Sequence, residues 1–387
     1  MKRAIYAGSF DPITLGHLWM IREGSRLFDE VVVAIGVNPD KKPAFTLLER
    51  LEMIKDAVKG IKNVTVTHFT GQYLVNYAKS IKADYLLRGI RQESDYEYER
   101  GLRHINNNLD PDISTVFLMP PKEMSEVSSS MVKGMVGPLG WHRAIKPYLP
   151  LGAYEALLRQ HCEKLFFQHW TEAFTTKSPP AFHGELQMME SGPSGKMFHR
   201  IWASYSNPYR SYHNMEHILD CLAELETCST VINDVFYQIC PSWNKPLIAL
   251  AIWFHDVVYN PQAQDNEEKS AEFFKELTQT RLATWKIDEI TKMILATKKH
   301  STDVFGERVL CDIDLSILGQ KHEIFTKYCE NIRKEYSWVP LTLYNRERKK
   351  ILESFLKRDS IYQTKYFQDR FEQKAKANLA AAIERLT

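Results

Sequence analysis

The chain is 387 residues long, 44% apolar and 25% charged, with a formal net charge of +2. That length provides for two or three domains with ample core. The near balance of charge gives no argument for nucleic-acid binding or for attraction to a membrane surface. No apolar run reaches membrane-spanning length. The short apolar run behind Lys2-Arg3 is cut by Asp11 and does not read as a signal peptide. The six cysteines (Cys162, Cys221, Cys228, Cys240, Cys311, Cys329) all lie beyond residue 160 without a Cys-x-x-Cys pair. Reduced thiols and a cytoplasmic chain are expected.

In chain order, Ala4-Ile5-Tyr6-Ala7 has the length and composition of a buried strand. Gly8-Ser9-Phe10-Asp11-Pro12-Ile13-Thr14-Leu15-Gly16-His17 follows, and Leu18, Ile21, Leu27 and Phe28 then recur at helical spacing. A strand-to-helix turn of this kind aims free backbone N–H groups beyond the sheet edge, which favours a phosphate. His17 falls in the first helical turn, where it can donate to the same anion.

Glu30 to Val37 is β-branched and continuous, as a parallel strand covered on both faces should be. Thr46-Leu47-Leu48-Glu49 reads as a capping box opening a helix towards Val58. Val64 to Phe69, Tyr85 to Leu87 and Thr115 to Leu118 supply three more strands, with helical patterns between them. The expected class is therefore an α/β doubly wound parallel sheet, with ligands beyond the carboxyl ends of its strands. Lys41-Lys42, Arg88-Gly89-Ile90-Arg91 and Pro120 to Ser130 all follow strands, making a pocket suited to a triphosphate and a second phosphate.

These strings, with Asp95-Tyr96-Glu97-Tyr98-Glu99 and Ser128-Ser129-Ser130, resemble bacterial phosphopantetheine adenylyltransferases over residues 1–158. Ser9 stands where that family usually has Thr, and keeps the hydroxyl. The resemblance implies adenylyl transfer from ATP to 4'-phosphopantetheine, giving dephospho-coenzyme A and pyrophosphate. It implies that His17 contacts the α-phosphate, while Lys41 and Arg88 hold the attacking phosphate and Ser9 orients it. Phe10, Gly89, Ile90, Arg91, Glu99 and the loop Met124, Ser125, Glu126, Val127, Ser128, Ser129, Ser130 fall to the nucleotide, and Leu74 to the pantetheine arm. Mg²⁺ accompanies the nucleotide through its phosphates. Bacterial relatives are hexamers, so a homo-oligomer is expected. Nicotinamide mononucleotide is the alternative acceptor.

Trp141 to Leu158 is expected to close this domain as a helix, and turn-rich residues at about 175–195 to follow it. Beyond them strand patterns vanish and an all-helical domain is expected over 160–387. Pro246 to Phe254 is apolar all round and reads as a buried helix, ending directly in His255-Asp256. A carboxylate buried beside an imidazole is expensive unless paired or bound to a metal. His213 and His217 are read as one turn apart on one helix face, Asp312 and Asp314 lie in an apolar run, and His300 follows Ala296 to Lys299.

The order His…His-Asp…Asp resembles the HD superfamily of metal-dependent phosphohydrolases, as do Asp265 to Ala271 and Ala377-Asn378-Leu379. The resemblance implies His213, His255, Asp256 and Asp314 as ligands of a divalent transition metal, with Asp312 the rival for the last place. His300 is left between a second metal and a helix-end charge. His217 is left as a possible supporting residue, and Arg346 to Lys350 as solvated surface. The substrate would be an unidentified phosphoester. The alternative is a non-catalytic module that binds metal or nucleotide and regulates or assembles the transferase.

Overall fold

Five parallel strands alternate with helices through the first 118 residues in a computed structural model that describes residues 1–38, 40, 42–174, 193–236 and 244–386. Lys41, Cys240 and most of the predicted turn-rich stretch lie outside the described residues. From Pro193 the chain is already helical, with proline at the first helical position where its missing N–H costs nothing. The chain divides into two units, Met1–His161 and Cys162–Thr387. Among the described residues, no helix is long and apolar enough to cross a membrane.

The first unit holds β1 (Arg3–Gly8), β2 (Glu30–Val37), β3 (Val64–Thr70), β4 (Tyr85–Gly89) and β5 (Ser114–Leu118). They lie in the order β3-β2-β1-β4-β5, with Ile5 beside both Val32 and Leu86. Val31 to Ile35 are buried, as a central strand covered on both sides requires, whereas the edge strand β3 spends Thr65, His68 and Thr70 on solvent. The chain winds outward from β1 in one direction and then resumes at β4 on β1's other side. Such a reversal opens a crevice at the carboxyl ends of the two strands. Gly8 ends β1 and Gly89 ends β4, so the reversal places the phosphate turn beside Arg88.

Helices α1 (Leu15–Leu27), α2 (Leu47–Ala57), α3 (Leu74–Ser80) and α4 (Glu93–Leu109) connect the strands. The Thr46–Glu49 capping box forms at the start of α2. After β5 come the short helices α5 (Lys122–Ser125), α6 (Ser129–Gly134) and α7 (Trp141–Ile145). The single closing helix expected from Trp141 is broken: a 3₁₀ turn spans Lys146–Tyr148, and α8 (Leu151–Phe174) starts afresh. Pro147 and Pro150 lack the N–H groups a continuous helix would need there.

Among the second unit's described residues, the regular elements are all helices. Its centre is Lys245–Phe254, in which Leu247 to Phe254 are all buried. Asn244 caps this helix by accepting the backbone N–H of Leu247 at 3.4 Å. Helices Met215–Phe236, Asn266–Thr278, Thr284–Ala296 and Phe305–Asp314 pack around it, and Lys365–Arg385 closes on the 3₁₀ turn Leu315–Gly319. Asn378 fastens that turn by donating to the carbonyls of Leu318 (2.8 Å) and Gln320 (2.9 Å).

Two candidate functional sites

In the first unit, Thr14 caps α1 and His17 answers it. The backbone N–H of Thr14 donates to His17 Nδ1 at 3.1 Å, while Thr14 Oγ1 accepts from the backbone of His17 at 3.4 Å. With Nδ1 accepting, the neutral ring carries its proton on Nε2. Burial, helped by the positive charge of Arg91, lowers the His17 pKa to about 4, so the ring is a neutral donor at physiological pH. Phe10 has no exposed surface and sets its ring edge-on to His17 at 5.2 Å between centroids. Its side chain supports the imidazole from the core.

Asp11, which sequence reasoning left aside, ties the turn to two other loops. Its carboxylate accepts the N–H groups of Ala44 and Phe45 (2.9 Å each) and pairs with Lys133 at 2.6 Å. Burial pushes this carboxyl up, but those hydrogen bonds and Lys133 more than offset it and hold it below the ordinary value. Ser129 donates to the Pro12 carbonyl at 2.7 Å, and Ser128 caps α6. At Gly16 a Cβ would stand 3.1 Å from the Met124 carbonyl oxygen and 3.2 Å from that of Val127. The start of α1 therefore abuts the 124–127 loop backbone to backbone, which only glycine allows without displacement.

Across the crevice, Arg88 makes a two-pronged pair with Glu99, one contact measuring 2.7 Å, and Arg91 pairs with Asp95 at 3.0 Å. Asp95 and Glu99 are one turn apart on α4 and therefore face β4 together. Glu99, expected with the nucleotide, is thus bound to the arginine expected on the other phosphate. Ile90 is buried and its N–H donates to Leu118, leaving Gly89 and Arg91 as the more open members of the string. Ser9 is exposed, and its carbonyl accepts from Arg50. A cavity of about 280 Å³ lies between Gly8, Phe69, Tyr73, Leu74, Arg88 and Leu102, mostly apolar with the guanidinium at its wall.

In the second unit four side-chain atoms converge: Nε2 of His217, Nε2 of His255, Oδ2 of Asp256 and Oδ1 of Asp314. The two nitrogens are 3.3 Å apart, and the nitrogen–oxygen separations run from 3.2 to 3.6 Å. Donors about 2.0–2.2 Å from one tetrahedral ion stand roughly 3.3–3.6 Å from each other. Spacing and donor chemistry alike suit a divalent cation. His255 Nδ1 donates to the Ile252 carbonyl at 2.9 Å, which leaves its Nε2 lone pair facing inward. Burial pushes the His255 imidazole down, yet Asp256 and Asp314 more than reverse this and hold it well above its ordinary value. Cys221 lies 3.7 Å from the His217 ring and, with His217 and Asp314, makes a second potential ligand cluster beside that of His217, His255 and Asp256.

The sequence expectation had His213 in the place His217 occupies. The helix starts only at Met215, so His213 sits in the preceding turn and the supposed shared helix face does not exist. Asn214 marks that start by accepting the N–H groups of Glu216 and His217. His213 instead bonds Glu335 through Nδ1 at 2.7 Å and stacks on Tyr259 with ring centroids 4.1 Å apart. Glu335 also accepts from Tyr259 and from the backbone of Tyr212 and His213. Arg210 binds the carbonyls of His213, Asp256 and Val257, holding the His213 turn against the His255-Asp256 turn. Ser270, in the string Asp265 to Ala271, grips Val258 from the other side through both N–H and carbonyl.

Asp312 does not reach the cluster. Its oxygens accept from Gln363 N–H (2.8 Å) and from Thr364 N–H and hydroxyl (2.7 Å each), fixing the turn before Lys365–Arg385. His300 is not a helix-end charge either: its helix stops at Ala296, and Nε2 meets Asp314 Oδ2 at 2.8 Å. Arg348, expected on solvated surface, lines a mostly polar cavity of about 330 Å³ with His213.

The cytidylyltransferase-like family model matches residues 5–135. The phosphopantetheine adenylyltransferase of Neisseria meningitidis serogroup C is 56% identical over 160 residues, covering 41% of this chain and 94% of that relative. That of Chromobacterium violaceum is 55% identical over 164 residues, 42% of this chain and all of that relative. That of Caldanaerobacter subterraneus is 45% identical over 133 residues, 34% of this chain and 82% of that relative. Through its first 160 or so residues, which fold as the parallel-sheet unit with the His17 turn, the chain belongs to the phosphopantetheine adenylyltransferase family.

Proposed function

We propose that the chain is bifunctional, with an adenylyltransferase in its first unit and a metal-dependent phosphohydrolase in its second. In the first, a phosphate oxygen of 4'-phosphopantetheine attacks the α-phosphorus of ATP. The new oxygen–phosphorus bond forms as the bond to the bridging oxygen breaks, releasing pyrophosphate and dephospho-coenzyme A. No protein nucleophile is required, so the side chains position the reactants and stabilise charge. His17 donates from Nε2 to the α-phosphate, a role supported by its fixed tautomer. Arg88, with Lys41 and Ser9, receives the acceptor phosphate, and the apolar cavity beside Leu74 takes the pantetheine arm. Mg²⁺ would be carried by the nucleotide phosphates: among the described residues, both potential ligand clusters fall in the second unit.

His17→Ala tests the first half. Losing one preorganised donor should lower single-turnover adenylyl transfer roughly 10²–10³-fold with ATP binding largely kept. A rate within a few-fold of wild type would remove His17 from the mechanism. Arg88→Ala should raise the KM for phosphopantetheine far more than that for ATP.

The observation carrying the second half is the convergence of His217, His255, Asp256 and Asp314. A divalent transition metal held by them would supply Lewis-acid activation of water near neutral pH. The chain's own part is to aim the donors: Ile252 sets the His255 ring, and His300 occupies the second oxygen of Asp314. Metal content by mass spectrometry should be close to one per chain in wild type and should fall sharply in His217→Ala, while His213→Ala keeps most of its metal. The reverse pattern would restore His213 as the ligand.

A further inference from the structure

We propose that the polar cavity beside this quartet binds a small water-soluble phosphomonoester, no larger than a nucleoside monophosphate, with Arg348 holding its phosphate. The proposal rests on the hydrolase reading of the same site. The cavity is lined by His213, Tyr259, Lys298, Tyr328, Tyr336 and Arg348, among others. One ring separates it from the quartet: Tyr212 stands 4.8 Å from His217 on one side and 4.6 Å from Tyr328, which lines the cavity, on the other.

Arg348 is the cation without a carboxylate. It donates to the Tyr328 hydroxyl at 2.6 Å and lies over that ring at 5.4 Å, and among the described residues it forms no ion pair. Lys298, by contrast, is already matched with Glu268 at 2.5 Å. A half-buried guanidinium facing a cavity with most of its donors unspent suits an anionic oxygen cluster. Glu335 meanwhile fixes the His213 ring from behind, so this wall of the cavity is rigid.

Size and lining narrow the ligand. At about 330 Å³ the cavity is near the lower end of small-molecule sites, roughly 300–1,000 Å³. An intact dinucleotide or a nucleic-acid strand exceeds it. Hydroxyls, amides and charges dominate its surface, which disfavours lipid phosphates. Tyr328 and Tyr336 add aromatic surface against which a base or sugar can rest, while the Tyr259 ring is already stacked on His213.

The test uses the full chain and uridine monophosphate, because an adenine nucleotide could also enter the first unit. Calorimetric binding is measured on chelator-treated and Mn²⁺-loaded protein, and hydrolysis on the loaded form, for wild type, Arg348→Ala, Arg348→Lys and Tyr328→Phe. Melting curves identify any variant that fails to fold, and Tyr328→Phe disturbs Arg348 while keeping the ring. Wild type should bind uridine monophosphate, Arg348→Ala should lose roughly ten- to hundredfold in affinity, and Arg348→Lys should recover part of it. The hydrolytic KM should rise in parallel, with kcat changed only a few-fold. Equal affinity in wild type and Arg348→Ala overturns the proposal, as does a preference for bis(p-nitrophenyl) phosphate or phosphatidate vesicles over monoesters. Arg348-dependent binding without hydrolysis by the loaded protein would sink the hydrolase reading and keep the cavity assignment. Hydrolysis indifferent to Arg348 would do the opposite.

Discussion

His17 Nδ1 can accept the Thr14 N–H only while the ring is neutral, with its one proton on Nε2. Its folded pKa of about 4 lies below the ordinary imidazole value of roughly 6.5. The unfolded chain therefore takes up this proton first as the medium acidifies. The stability associated with neutral His17 is complete above about pH 6.5 and is lost as pH falls towards 4. An imidazole NMR titration of the ligand-free protein should place the His17 midpoint near 4, and a midpoint near 6.5 would mean that the ring is solvated.

Residue types alone named most of the side chains that the structure brings together at the two candidate sites, but not their arrangement. His213 and His217 are chemically identical, and only the start of the helix at Met215 separates them. The available signal was Asn214, a favoured capping residue whose side chain accepts from the second and third helical residues. Glu335 and Arg348 lie far from the histidines in sequence, and nothing local distinguishes them from other charged helix residues. Asp11 could have been suspected as a charge buried in an otherwise apolar turn, but its partners at 44, 45 and 133 are set by the sheet.

At the scale of elements, period and punctuation made the parallel sheet legible, because buried strands read as continuous β-branched runs. The broken closing helix was legible too, at Pro147 and Pro150, had the prolines been weighed against the apolar spacing. The meeting of α1 with the 124–127 loop was not, since it depends on packing between segments a hundred residues apart. Gly16→Ala forces the carbonyls of Met124 and Val127 to move and should cost about 1–3 kcal/mol with a raised KM for ATP. An unchanged melting temperature and KM would show that the loop yields freely. Asp312→Ala leaves the Gln363 and Thr364 donors unanswered. It should lower stability by about 2–4 kcal/mol in denaturant melts while metal content stays at the wild-type level, whereas Asp314→Ala should lose the metal.

At the scale of the whole molecule, each site is assembled from residues of a single unit, the adenylyltransferase site within Met1–His161 and the quartet within Cys162–Thr387. Two chemistries with separate side chains should respond separately to substitution. Asp256→Ala removes a carboxylate that stands 3.2 Å from His255 and that the neighbouring histidines hold well below its ordinary value against the cost of burial. The melting temperature of this variant therefore has to be read beside its metal content. The decisive measurement takes wild type, His17→Ala and Asp256→Ala as full chains and reads metal content, melting temperature, adenylyl transfer and phosphoester hydrolysis on each preparation. His17→Ala should lose adenylyl transfer and keep metal and hydrolysis, while Asp256→Ala should lose metal and hydrolysis and keep adenylyl transfer near wild type. If folded, metal-free Asp256→Ala instead loses adenylyl transfer in step with its metal, or if metal-loaded wild type hydrolyses no phosphoester, the helical unit is not an independent hydrolase.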